Sequence, residues 1–162
     1  GVGTFAVQIA KSLGANVTGV CSTRNVGILQ SIGADHVIDY MKEDFTESGQ
    51  RYDLILGVNG HYPMTAYKRA LKDNGTFIHI GGAGAQLFQT MTLGTWFTLT
   101  GRKRMTSLLQ RQNQSDLIYM KDLIEAGKLM VVIDKTFKLS EIEEAFKYFE
   151  QGHAQGKVVI TV

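Results

Sequence analysis

The sequence predicts an α/β fold, with a parallel β-sheet covered by helices on both faces. Short apolar segments typical of buried strands alternate with amphipathic helical segments, and this alternation indicates βαβ units. Glycine is frequent, at 18 of 162 residues, and proline occurs once, as expected for helices and strands joined by tight turns. A chain of this length is large enough to bury a core of its own.

The amino-terminal half predicts its elements in a regular order. They are a helix at 4–13, strands at 16–21, 36–40, 52–58 and 76–80, and further helices at 25–32 and 63–71. Gly14 and Gly33 are placed to end the first two helices, and Pro63 suits the first turn of the third. In the first helix the spacing predicts a buried apolar face formed by Phe5, Ala6, Ile9, Ala10 and Leu13.

The carboxyl-terminal half has a different pattern. The sequence predicts a strand at 96–100, a long amphipathic helix at 105–126, a strand at 131–139, a helix, and a final strand at 157–162. Ser140 and Glu143 have the spacing of a capping box, which predicts that they open the last helix.

Composition and charge exclude several classes of protein. The single cysteine, Cys21, excludes an intrachain disulfide, and the four dispersed histidines lack zinc-ligand spacing, so no metal site is predicted. A net charge of +2 is too small a surplus to indicate a nucleic-acid partner. No apolar run is long enough to span a bilayer and no signal peptide opens the chain. We therefore expect no membrane partner and a cytoplasmic location, with an organelle matrix as the alternative.

A glycine-rich turn lies at the start of the first helix. Gly1-Val2-Gly3-Thr4-Phe5-Ala6 matches the pattern G-x-G-x-x-A of dinucleotide-binding turns. Glycines in such a turn let backbone N–H groups approach a pyrophosphate, and the helix dipole favours its negative charge. The alternative is that these glycines only close a tight turn. The first interpretation is favoured by a strand that ends about 20 residues later, where dinucleotide folds contact the adenosine ribose.

The end of that strand reads Cys21-Ser22-Thr23-Arg24. Folds that bind NAD commonly place an Asp or Glu there, but residues 1–34 contain no acidic residue. Two hydroxyls and a guanidinium instead suit a 2′-phosphate, which a carboxylate would repel. The sequence therefore predicts NADP rather than NAD, with Ser22, Thr23 and Arg24 at the 2′-phosphate. The alternative stays open that Ser22 or Thr23 caps the next helix and that Arg24 is a solvated residue of its first turn.

Several segments are informative in combination. They are GVGTFAVQIAKSLGANVTGVCSTRN, GADHVIDY, YDLILGVNG, GTFIHIGG and HAQGKVVITV. Together they resemble the medium-chain dehydrogenase/reductase family, in its zinc-independent, NADPH-dependent quinone oxidoreductase branch, from Gly1 to Val162. Members of this family carry an A-x-x-G-x-x-G turn, and Gly3 matches its last glycine. In that register the literal G-x-G-x-x-A match lies three residues too late and is set aside.

The resemblance implies a set of cofactor-binding residues. It assigns Gly1, Val2 and Gly3 to the phosphate-binding turn, Ser22, Thr23 and Arg24 to the 2′-phosphate, and Tyr40 to the adenosine end. It assigns Val58, Asn59, Gly60, Ile80, Gly81 and Gly82 to the nicotinamide half, and it lets Lys157 reach the cofactor. Many relatives carry Asp-Ser-Val-Gly or a similar set where this sequence has Gly57-Val58-Asn59-Gly60. No catalytic acid or base is nominated in this chain.

The resemblance also implies that part of the protein precedes Gly1. The first strand of a Rossmann-type sheet and the catalytic domain lie there in the family. Residues 1–128 are therefore expected to form an incomplete dinucleotide-binding domain, and residues 129–162 a segment that packs on the catalytic domain. Without the first strand, the strands at 16–21 and 52–58 flank an empty slot. We expect them to pair directly, to borrow a strand or to associate through their exposed edges, and we predict a homo-oligomer. In the family, the strand predicted at 96–100 commonly pairs across a dimer axis.

The implied function is hydride transfer from NADPH to a quinone or enone-type carbonyl substrate, with this chain inactive by itself. Two alternatives stay open. One is a zinc-dependent alcohol dehydrogenase relative, whose metal ligands would lie before Gly1. The other is a non-enzymatic module on the same fold that senses NADPH or binds RNA.

Overall fold

The computed structural model describes residues 1–81, 88–108, 112–152 and 154–162. Its helices are α1 (Val2–Ser12), α2 (Val26–Ser31), α3 (Met64–Ala70), α4 (Thr95–Thr100), α5 (Gln114–Glu125) and α6 (Ile142–Glu150). Its strands are β1 (Thr18–Cys21), β2 (His36–Asp39), β3 (Tyr52–Val58), β4 (Leu71–Ile80), β5 (Arg104–Ser107), β6 (Ile133–Lys138) and β7 (Lys157–Thr161). The chain divides into two compact units, Gly1–Met41 with Asn113–Val162, and Lys42–Gln112.

The first unit contains two short parallel sheets, in which β1 pairs with β2 and β6 pairs with β7. Its core joins one buried side chain of α1, Val7, to Cys21 of β1 and to Leu29 and Ile32 at α2. Burial of these apolar groups is the main force that holds α1 and α2 against β1 and β2. The parallel pairing of strands separated by helices confirms the predicted α/β class.

The glycines predicted to end the first two helices do so. Gly14 and Gly33 adopt φ angles of 80° and 92° just after α1 and α2. This left-handed conformation lets the backbone N–H groups that follow bond to the last carbonyls of the helix, and glycine adopts it without a Cβ clash.

The buried face of α1 differs from the predicted one. Thr4, Val7 and Gln8 are its buried residues, whereas Leu13 is 73% exposed. The Gln8 amide donates to the backbone oxygens of Thr4 and Met130 at 3.0 and 2.9 Å, and its oxygen accepts the Met130 N–H at 2.7 Å. Because these bonds satisfy the amide, Gln8 can occupy a core position that periodicity reserves for an apolar residue.

The second unit contains a three-stranded parallel sheet in the order β3-β4-β5. The Tyr67 ring of α3 stacks on Phe77 of β4, with ring centroids 4.3 Å apart. In the register of β3 with β4, Val58 lies opposite Ile80, so that the carboxyl ends of both strands meet at one edge of the sheet. The strands predicted at 52–58 and 76–80 are therefore confirmed.

The strand predicted at 96–100 is wrong, because Thr95–Thr100 form helix α4. The threonine hydroxyls of this segment bond within the helix. Thr98 and Thr100 donate to the carbonyl oxygens four residues earlier, at 2.8 and 2.7 Å. These bonds satisfy the polar groups of β-branched residues whose composition favours a strand.

The long helix predicted at 105–126 is also wrong. Arg104–Ser107 form β5, which pairs with β4, and the helix is limited to Gln114–Glu125 in the described residues. Pairing with a strand distant in sequence overrides the local preference here.

The last helix begins at Ile142, and its cap differs from the predicted Ser140–Glu143 box. The Glu141 carboxylate accepts the backbone N–H of Lys138 at 2.8 Å. The chain enters the helix through a 3₁₀ turn at Leu139–Glu141, which moves the capping glutamate two residues towards the amino terminus.

The strands β1 and β3 each pair with one neighbour in the described part of the chain, and no ladder joins one to the other. Direct pairing across the expected slot is therefore not found. Strand borrowing, association through edges, the homo-oligomer and the domain boundary after residue 128 stay predictions.

Candidate cofactor-binding site

A shallow pocket of about 330 Å³ lies at the carboxyl ends of β1 and β2. The parallel register places Cys21 opposite Asp39, so the segments that follow both strands meet at the same edge. The pocket is lined by Ser22, Thr23, Arg24, Tyr40 and Met41. The structure thus brings Tyr40 together with the predicted 2′-phosphate residues. Met41 was not predicted, although its position next to Tyr40 could have suggested it.

Two hydroxyls of this pocket have different partners. Thr23 Oγ1 donates to Oδ2 of Asp39 at 2.6 Å, and Ser22 Oγ accepts from the amide of Asn25 at 3.3 Å. The other Asp39 oxygen accepts the backbone N–H of Met41 at 3.0 Å. The Ser22 side chain makes no bond that caps the 3₁₀ turn after it, contrary to the capping alternative.

Sequence reasoning missed Asp39, which is 8% exposed. It considered acidic residues only at the end of β1, whereas Asp39 lies at the end of β2 and accepts a hydrogen bond from Thr23, which lines the pocket. The parallel pairing of β1 with β2 could have indicated it.

Cys21 lies at the end of β1 and is buried. Burial raises the pKa of the Cys21 thiol, and the charge of Asp39 raises it further. The thiol is therefore protonated near neutral pH and contributes as a small apolar group.

The amino terminus of α1 has open space at its glycines. A Cβ atom built on Gly1 or Gly3 would meet no atom of the described residues within 4 Å. Packing among the described residues therefore does not require glycine at either position. The Lys157 ammonium lies 5.5 Å from the ring centroid of Phe5 in α1, so this predicted residue is located beside the same helix.

In the second unit, the predicted residues of the nicotinamide half meet at the carboxyl ends of β3 and β4. The backbone N–H of Asn59 donates to the Ile80 oxygen at 3.2 Å, just beyond the paired Val58. Asn59 and Gly81 adopt φ angles of 51° and 65°. Asn tolerates this left-handed conformation better than most residues, which accounts for its place in the turn. Gly82 lies outside the described residues.

Gly60 is a glycine for a packing reason. A Cβ at this position would overlap the hydroxyl of Tyr67. The Tyr67 side chain is buried, and its burial raises the pKa of the phenol.

A hydrogen-bond network links the carboxyl-terminal segment to the loop that carries Arg24. The Gln155 side chain donates to the backbone oxygen of Arg24 at 3.1 Å, and its backbone N–H donates to Asp134 at 3.0 Å. The Tyr148 hydroxyl donates to the same Asp134 oxygen at 2.6 Å, and this bond raises the pKa of Tyr148. Sequence reasoning missed these residues, because they lie more than 100 positions from Arg24 along the chain.

No group of three or more His, Cys, Asp or Glu side chains that could hold a metal ion occurs in the described ranges. Within the same ranges, every helix is too short or too polar to cross a membrane.

Comparison with known proteins identifies relatives over the whole chain. Quinone-oxidoreductase QR1, chloroplastic, of Triphysaria versicolor is 37% identical over 165 residues. NAD(P)H oxidoreductase RTN4IP1, mitochondrial, of Mus musculus is 34% identical over 187 residues. The alignments cover 99% and 100% of this chain but 49% and 46% of those proteins, so the chain spans about half the length of these relatives.

Solved structures agree with this similarity. The quinone oxidoreductase from Coxiella burnetii has a TM-score of 0.83 and 29% identity, with 100% of this chain and 50% of that chain covered. A family model described as zinc-binding dehydrogenase matches residues 32–160. These matches confirm the predicted resemblance to medium-chain dehydrogenases and reductases of the quinone oxidoreductase branch. The chain therefore belongs to the zinc-binding dehydrogenase family.

Proposed function

We propose that this chain is the NADPH-binding part of an oxidoreductase that transfers hydride from NADPH to a quinone or enone-type acceptor. The names of the relatives support a nicotinamide cofactor and a quinone substrate. The observation that carries the proposal is the pocket in which Tyr40 lies with Ser22, Thr23 and Arg24. Since the chain spans about half the length of these relatives, the activity of the whole protein is part of this proposal.

Two features of the pocket support NADPH over NADH. Arg24 supplies a guanidinium, which pairs well with a phosphate, and Ser22 supplies a hydroxyl. The loop after β1 carries no carboxylate that would bind a ribose 2′-hydroxyl, and the Asp39 carboxylate is held by Thr23 and Met41. Thr23 also lines the pocket, and its hydroxyl donates its hydrogen bond to Asp39.

The other contacts that we propose with the cofactor are assigned to each unit separately. The open turn at Gly1, Val2 and Gly3, with Lys157 beside α1, fits a pyrophosphate. In the second unit, the strand ends at Val58, Asn59, Gly60, Ile80 and Gly81 are assigned to the nicotinamide half, and Gly82 stays an expectation. The cofactor, when bound, supplies the hydride; the residues of this chain bind and orient it and exclude water.

No residue in the described ranges is proposed as a zinc ligand. The family description implies a metal, but the described residues bring together no set of ligands that fits one. We therefore derive no step through zinc. No observation favours the RNA-binding or NADPH-sensing alternative.

The cytoplasmic location stays a prediction. The names of the plant and mouse relatives describe those proteins as chloroplastic and mitochondrial.

Arg24→Ala tests the cofactor assignment. Loss of a charge-assisted hydrogen bond costs about 1.5–3 kcal/mol, so we expect NADPH affinity to fall about 10- to 100-fold while NADH affinity changes less than about twofold. Nicotinamide fluorescence titration of the chain measures both. Arg51→Ala, which removes an exposed arginine of the second unit, should change neither affinity. Equal losses for the two cofactors would remove Arg24 from the 2′-phosphate.

A further inference from the structure

We infer that Asp39 is a positioning residue that limits the affinity of the pocket for a 2′-phosphate, because it takes the hydroxyl hydrogen of Thr23 and so prevents Thr23 from binding that phosphate. The inference rests on the proposed function and refines it. It gives the two hydroxyls of the predicted 2′-phosphate set different roles.

The argument begins with the single hydrogen of a hydroxyl group. Thr23 donates this hydrogen to Asp39 at 2.6 Å, a short distance typical of a bond to a carboxylate. Once this hydrogen is donated to Asp39, Thr23 Oγ1 can only accept further hydrogen bonds. A phosphate dianion also only accepts, so Thr23 offers it no bond.

The position of Asp39 keeps this arrangement in place. Its side chain is 8% exposed, and its second oxygen accepts the backbone N–H of Met41 at 3.0 Å. Two partners of the carboxylate, Thr23 and Met41, line the pocket. The charge of Asp39 therefore lies directly behind the pocket wall and opposes an additional anion, leaving Ser22 and Arg24 as the groups that favour one.

The substitution Asp39→Asn reverses the polarity of the contact. The amide N–H that it introduces would donate to Thr23 Oγ1, which turns the Thr23 hydrogen towards the pocket, and the amide oxygen would still accept from Met41. The substitution also removes a negative charge. Both changes should favour a 2′-phosphate and leave the rest of the nucleotide unaffected.

The experiment compares adenosine 2′,5′-bisphosphate with AMP, which differ only in the 2′-phosphate. Calorimetric titration at pH 8 uses the wild-type chain, Asp39→Asn, Thr23→Val and the double variant. We expect Asp39→Asn to bind the bisphosphate about tenfold more tightly, with AMP changed less than twofold. Thr23→Val alone should change either affinity less than about threefold. In the double variant the gain should fall to about threefold, since only the charge effect remains.

Asp53→Asn is the matched control for loss of one negative charge, because Asp53 lies in the second unit and pairs with Lys72 at the surface. It should change neither affinity. A tenfold loss of bisphosphate affinity in Thr23→Val, or an unchanged or weaker affinity in Asp39→Asn, would overturn the inference while leaving nucleotide binding established. If no variant binds either nucleotide, the proposed function falls and the inference falls with it.

Discussion

Glycine residues in the candidate site are needed for different physical reasons. At Gly60 the protein itself excludes a side chain, since a Cβ would overlap the Tyr67 hydroxyl. At Gly1 and Gly3 no atom of the described residues lies within 4 Å of the Cβ position, so packing among them gives no reason for glycine, whereas the proposed pyrophosphate contact would give one.

Asp35 provides a pH-dependent test of local stability. Its carboxylate accepts hydrogen bonds from the Lys11 ammonium and from the Val17 N–H, both at 2.7 Å. These two bonds lower the pKa of Asp35, and the bond from Lys11 has the larger effect. A carboxyl whose folded pKa is lowered stabilises the protein above its unfolded pKa of about 3.9, and this contribution is lost as the pH falls through the folded pKa.

We therefore expect Asp35→Asn to be less stable than the wild-type chain at neutral pH, and the difference to shrink as the pH falls below about 4. Urea unfolding at a series of pH values measures it. Asp53→Asn, whose carboxylate is 83% exposed, should show a smaller difference at neutral pH. A difference for Asp35→Asn that stays constant from pH 7 to about pH 2 would contradict the assignment.

Much of the pocket could be predicted from single residues. Ser22, Thr23, Arg24 and Tyr40 were selected from strand ends and a resemblance, and the structure places them around one pocket. Which of them can donate to a phosphate could not be predicted, because that depends on the hydrogen bond from Thr23 to Asp39 across two strands.

At the scale of elements, side-chain hydrogen bonds to the backbone decide several of the differences from the predicted pattern. The threonines of α4 bond to carbonyls of the preceding turn, and this lets a strand-like composition form a helix. The same kind of bond attaches elements to one another. Gln8 of α1 bonds to both backbone groups of Met130, as a neighbouring strand would.

Gln8→Leu should destabilise the first unit. Leucine has a similar volume but leaves the Met130 N–H and C=O without these partners, which costs about 1–3 kcal/mol. Urea unfolding measures the loss. Gln30→Leu, on the exposed surface of α2, is the matched control and should change stability by less than about 0.5 kcal/mol. Equal effects of the two substitutions would show that the Gln8 bonds do not hold the segment at Met130 in place.

At the scale of the whole molecule, large apolar side chains stay exposed in both units. Trp96 and Leu99 of α4 are 63% and 79% exposed, and Phe146 and Phe149 of α6 are 61% and 63% exposed. Exposed apolar side chains in this number are typical of interaction surfaces. The strands β1 and β3, each paired on one side among the described residues, add open backbone edges.

These surfaces lead us to expect a homo-oligomer in solution. Multi-angle light scattering should give a mass at least twice that of the single chain. Leu99→Lys should lower the oligomeric fraction, because it introduces a charge into an apolar contact. A well-behaved monomer of the wild-type chain would contradict the prediction.

The sequence by itself determined the features that depend on near neighbours in the chain: the alternation of strands and helices, the glycine turns at Gly14 and Gly33, and the polar residues at the end of β1. Only the tertiary structure decided the burial of Gln8, the position of β5 beside β4 and the hydrogen bond between Thr23 and Asp39. Each of these is a contact between segments distant in sequence. The free energy of such a contact depends on which groups the fold brings together, and local propensity does not predict which groups those are.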